Sequence, residues 1–91
     1  MFVIVTSGFF LRRAKKCFKK HPDLKKTFAD VVDDLRKDPF QPHLELHALG
    51  GKLRDCYAVS LTYRYRITLT LMVTEKEIIL LDIGSHDDVY K

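Results

Sequence analysis

The residues best suited to chemistry gather in the second half of the chain. Arg64 and Arg66 stand in LTYRYRITLTLMV, and Ser85, His86 and Tyr90 follow in the closing ILLDIGSHDDVY. An arginine fixed on a strand can neutralise phosphate charge. A histidine, with an unperturbed pKa of about 6.5, can carry a proton near neutral pH, and a tyrosine hydroxyl can donate a hydrogen bond. Together these residues suit work on a phosphate. His43-Leu44-Glu45-Leu46-His47 offers a different chemistry, because alternation in an extended segment sets both histidines and Glu45 on one side. Such an edge rarely converges on one ion without a further ligand from elsewhere, so no metal and no cofactor are expected. Cys17 and Cys56 follow no metal-binding spacing and are expected as buried free thiols.

The elements that must hold these residues can be read from periodicity. In Leu61–Val73, Tyr65, Ile67, Leu69, Leu71 and Val73 fall on one side and Arg64, Arg66, Thr68 and Thr70 on the other, the signature of a half-buried strand. Asp55–Leu61 forms the strand before it, with Tyr57, Val59 and Leu61 inward. A turn over Thr62–Arg64 sets Leu61 opposite Tyr65, Val59 opposite Ile67 and Ser60 opposite Arg66, which keeps apolar residues on one face. Ser60, Arg66, Ala58 and Thr68 then line an open polar face. Ile78–Ile83 is apolar on both parities apart from Asp82, so it belongs inside the sheet. Its register stays open: a five-residue connection (Thr74–Ile78) opposes Arg66 with His86, and a two-residue turn at Glu75-Lys76 opposes Arg66 with Ser85.

The N-terminal half supplies the other layer. Phe2–Val5 is a short β-branched run, and Thr6 or Ser7 can cap a helix that follows to about Lys20. Phe10, Ala14, Cys17 and Phe18 make its apolar stripe, opposite Arg12, Arg13, Lys15, Lys16, Lys19 and Lys20. No acid precedes Asp23. Six cations without a counter-charge favour contact with nucleic acid or an acidic protein as much as a solvated face. His21-Pro22-Asp23 breaks the helix, and a second one to Lys37 carries Leu24, Phe28, Val31 and Leu35 on one stripe. The two helices should pack together against the sheet. Ninety-one residues form one small domain, residues 1–91, and the charge of +4 favours an anionic partner. Met1–Val5 has neither the basic start nor the length of a signal or a membrane span, so a cytoplasmic protein without membrane contact is expected.

A strand, a basic helical hairpin and this C-terminal half resemble the RelE/ParE superfamily of toxin–antitoxin toxins, and most closely its RelE- and YafQ-like messenger-RNA endonucleases. The motifs that carry the resemblance are Leu46-His47-x-Leu49 with Gly51, Asp55-Cys56-Tyr57, Tyr65-Arg66-Ile67, and Gly84-x-His86 with Val89-Tyr90. The resemblance implies an α+β fold: two N-terminal helices on one face of a small, twisted, mainly antiparallel four-stranded sheet in the order β-α-α-β-β-β. It implies an RNA site on the other face. His47 and His86 match catalytic histidines of the YafQ-like branch, Arg66 the arginine that holds the scissile phosphate, and Tyr90 a C-terminal tyrosine. The basic residues Arg12, Arg13, Lys15, Lys16, Lys19, Lys52, Arg54 and Arg64 become candidates for RNA contact. Ser60 stands where that branch has a further histidine and RelE a lysine, Ala58 replaces a second lysine, and Arg64 replaces an acid. The implied activity is metal-independent cleavage of messenger RNA on the ribosome by the RNA's own 2′-hydroxyl, with contacts to small-subunit ribosomal RNA. The implied partner is a cognate antitoxin, held in a hetero-oligomer. A ParE-like gyrase inhibitor and a non-toxic antitoxin-binding module are the alternatives.

Overall fold

A computed structural model of the chain describes residues 1–51 and 55–85. The elements run β1 (Val3–Val5), α1 (Gly8–Lys20), α2 (Leu24–Lys37), a 3-10 turn (Pro42–Leu44), β2 (His47–Ala48), β3 (Tyr57–Ser60), β4 (Tyr65–Met72) and β5 (Glu77–Ser85). The fold is α+β, with both helices packed against one five-stranded sheet ordered β1-β5-β4-β3-β2. The sheet has one strand more than expected. The addition is β2, too short to announce itself in sequence, which pairs His47 with Ala58 and Ala48 with Tyr57.

Each element follows from local chemistry. Ser7 caps α1, its hydroxyl accepting from the Phe10 amide at 3.2 Å. That helix turns Phe10 and Ala14 fully inward. On α2, Leu24, Val31 and Leu35 do the same, and Phe28 stacks on Phe10 with ring centroids 6.0 Å apart. Strand β1 runs parallel to β5 and is tied down further where the Phe2 amide donates to Arg36 O and the Val3 amide to Lys76 O. The core between helices and sheet holds Val59, Ile67, Leu69, Ile78, Leu80 and Ile83, with Tyr57, Tyr65 and Leu71 partly buried at its margin.

The β3–β4 hairpin has the expected register: Ser60 opposes Arg66, Val59 opposes Ile67 and Ala58 opposes Thr68. The β4–β5 register matches neither sequence-based alternative. Met72 pairs with Glu77 across a turn in which Lys76 takes a left-handed conformation (φ 51°), and Arg66 pairs with Gly84. The ladder shifts between Thr68 and Leu69, because Thr68 opposes Asp82 while Leu69 opposes Leu80, leaving Leu81 as the extra residue of a β-bulge. Leu81 is consequently only half-buried, and Ile78, Leu80 and Ile83 take the inward positions instead.

The segment 43–47 also differs from expectation. Pro42 opens a 3-10 turn, and Glu45 closes it in a left-handed conformation (φ 54°), so His43 and His47 do not share one extended edge. Cys17 and Cys56 are free thiols, partly rather than fully buried.

Candidate active site

Arg66 lies in the middle of one cross-strand row, Ser60–Arg66–Gly84. Strands on both sides hold its backbone, so the guanidinium starts from a fixed base. It lines a groove of about 540 Å³ together with His43, Glu45, Ser60, Thr62 and Tyr63. The 3-10 turn forms one wall and the β3–β4 turn the other. His43 is oriented by Asp34 of α2, its Nε2 lying 2.8 Å from the carboxylate. Tyr63 is fully solvent-exposed at the rim, where an aromatic ring offers a stacking surface. In the sequence His43 stands only in a weak metal-like motif and Tyr63 in a turn, and the one local signal for either is an aromatic directly beside the arginine strand.

His47 sits on β2 opposite Ala58, hence on the same face as Ser60 and Arg66 but two strands away. Strand spacing and rise put its Cα about 12 Å from that of Arg66, far enough for a substrate phosphate to lie between the side chains. Its Nδ1 lies 2.9 Å from the Glu45 carbonyl, the group that Nδ1–H can donate to, leaving Nε2 outward on an exposed ring. The floor is less open than expected, since Ala58 and Thr68 are both buried. His86, Tyr90, Lys52 and Arg54 lie outside the described residues.

The basic helix divides into two stripes. Arg12, Lys15 and Lys19 point into solvent, whereas Arg13 is turned inward and engaged by Asp82, its Nε donating to Oδ1 at 2.8 Å. Arg13 therefore clamps α1 to the strand just past the bulge. Lys16 is exposed, as is Arg64 in the β3–β4 turn. Among the described residues, no group of three histidines, cysteines or acids could hold a metal ion, and no helix is long and apolar enough to cross a membrane.

No family model matches the chain, and no curated protein matches it in sequence. Solved structures do. A metal-bound toxin from Helicobacter pylori superposes with a TM-score of 0.81 at 29% identity, over 98% of this chain and 99% of that one. YafQ from E. coli superposes with a TM-score of 0.84 at 16% identity, over 100% of both chains. The E. coli DinJ–YafQ complex gives a TM-score of 0.74 at 16% identity, again over 100% of both. The fold is that of the RelE/YafQ-like toxins, as the resemblance of the sequence implied.

Proposed function

We propose that this chain, built on the RelE/YafQ-like toxin fold, is the toxin of a toxin–antitoxin pair and a ribosome-dependent messenger-RNA endonuclease. The observation that carries the reading is Arg66, held between two strands and opening on the groove of about 540 Å³. In the reaction, the 2′-oxygen of the RNA attacks the adjacent phosphorus and the 5′-oxygen leaves, giving a cyclic phosphate and a free 5′-hydroxyl. One group must take the 2′-hydroxyl proton and another must protonate the departing oxygen. Arg66 steadies the extra negative charge of the phosphorane, a contribution typically worth about 3–4 kcal/mol for one such donor. His47, on the same face with Nε2 outward, is one proton carrier. His86 is assigned as the other, and Tyr90 as a further catalytic residue, on the sequence resemblance alone. Tyr63 provides a ring on which a base can stack.

Arg12, Lys15, Lys16, Lys19 and Arg64 are exposed cations suited to the ribosomal RNA backbone, and Lys52 and Arg54 join them on sequence grounds. The DinJ–YafQ complex supports an antitoxin as the protein partner. Primer extension after induced expression tests the reading. Cuts only in a translated message are expected, and cuts abolished by Arg66→Ala. Intact messages accompanied by DNA damage would assign the chain to gyrase inhibition instead.

One observation favours a second reading, a non-toxic antitoxin-binding module. Opposite Arg66 stands Ser60, a hydroxyl that neither gains nor loses a proton readily at neutral pH, so the row closest to the phosphate lacks a proton carrier. Growth unaffected by induction, with tight antitoxin binding, would decide for this reading.

A further inference from the structure

A second cavity, about 230 Å³, lies between α1 and the ends of β4 and β5, lined by Arg13, Lys16, Lys20, His21, Tyr65 and Gly84. It has room for a phosphate group with several waters, at about 30 Å³ of liquid volume per water. Arg13, Lys16 and Lys20 recur at i, i+3 and i+7, which puts all three on one stripe of α1. Arg13 is engaged by Asp82, so among the described lining residues the two ammonium groups set the local charge. The dipole of α1 contributes roughly half a negative charge at this end, less than either lysine supplies. Across the cavity, His21 Nε2 lies 2.7 Å from the Tyr65 hydroxyl, with the rings 5.0 Å apart and tilted by 53°.

We propose that this cavity binds a phosphodiester of the RNA backbone and that protonation of His21 strengthens the binding through Tyr65. The inference rests on the RNA-directed reading above. When Nε2 is bare, it accepts from the Tyr65 hydroxyl, which then offers the cavity only lone pairs. When the ring is charged, Nε2–H donates to the tyrosine oxygen, and the hydroxyl proton is released toward a phosphate oxygen. The cavity thus gains a charge and a donor in one step. Among the described residues, the charged and titratable groups facing His21 are Arg13, Lys16, Cys17 and Lys20 from α1, Asp23 from the inter-helix turn, and Arg64 and Tyr65 from the β3–β4 turn and β4. A phosphodiester keeps its single negative charge throughout the window from about pH 5.5 to 7.5.

The test uses the full chain and a short RNA methylated at every 2′-oxygen, which cannot be cleaved, so the readout is independent of cutting. Fluorescence anisotropy should show affinity about tenfold higher at the acidic end of the window, the size expected for one hydrogen bond to a charged group. Amide shifts should map contact to Lys16, Lys20 and His21. Tyr65→Phe should fold normally and flatten the pH dependence. His21→Gln, which keeps an N–H donor near the same place, should lose the share of the pH dependence that His21 carries, leaving what the histidines of the Arg66 face contribute. Lys16→Gln with Lys20→Gln should lower the salt slope by about 0.7, the loss of one phosphate on a single strand. Binding that ignores pH in the wild type, or a full pH dependence surviving Tyr65→Phe, overturns the proposal. So does a glutamate-rich peptide shifting these amides where RNA does not, which would assign the cavity to an acidic protein segment. Probe binding with the stated pH dependence in a chain that cuts no message supports the cavity and counts against the nuclease reading alone.

Discussion

Arg66 and Ser60 face each other across β3 and β4, and their pairing sets the chemistry open to this face. Arg66→Ala removes the phosphate cation without touching an inward residue, so folding should survive and cleavage should fall by at least ~100-fold. His86→Ala should cost a similar factor by removing a proton carrier. On the proposed nuclease reading both act on one transition state, so the double variant should lose far less than the product of the two single effects, as single-turnover cleavage would reveal. Ser60 invites the opposite experiment. Ser60→His would put an imidazole directly opposite the arginine, in a row whose described residues include no proton carrier. If proton transfer limits the reaction, cleavage should rise by about tenfold, with a new limb near the histidine pKa in the pH–rate profile. Unchanged cleavage in Ser60→His together with full activity in Arg66→Ala would remove this row from the mechanism.

At the scale of elements, the aromatic seam between the helices and the clamp between α1 and β5 hold the face in place. Phe10 is fully buried and stacks on Phe28, which in turn meets Phe18 at 5.3 Å, so Phe10→Ala should destabilise the fold by about 3–5 kcal/mol in denaturant melts. For a chain of 91 residues that is a large share of a total on the order of 5–14 kcal/mol. Asp82 accepts from both Arg13 and the Ile83 amide, so Asp82→Ala should cost about 1–3 kcal/mol and more than Arg13→Ala. Arg13 was legible in the sequence only as one of six cations, and nothing local distinguished the one that turns inward. The alternation through Tyr65–Met72 did determine the β3–β4 register, because a one-residue slip from the three-residue turn would mix the faces that hold Val59 and Ile67. The β4–β5 register was not legible for two physical reasons. Ile78–Ile83 is apolar on both faces, so no pattern penalises a one-residue slip, and the left-handed turn residue is Lys76 rather than a glycine that would have marked it. The 3-10 turn at Pro42 likewise hid the wall that brings His43 to the groove.

The molecule as a whole is electrically lopsided. Its net charge is +4, yet α1 alone carries six cations and no acid, so the rest of the chain sums to −2. On the proposed reading, an RNA approaching such a particle is steered toward α1, which either touches the anion or only attracts it. Changing Arg12, Lys15 and Lys19 to Glu reverses the outward stripe while leaving the Asp82 clamp and the core stripe intact. Changing Lys25, Lys26 and Arg36 to Glu on α2 alters the net charge by the same amount, and all three are exposed. Long-range steering depends on total charge and would weaken association similarly in both variants. Direct contact releases counterions from the phosphates actually covered, so only the α1 variant should flatten the salt dependence of binding, by about 2 in the log–log slope for three phosphates on a single strand. Both variants should unfold near the wild-type temperature, because every altered side chain is already in solvent. Equal slopes in the two variants would make α1 a solvated face that steers without gripping.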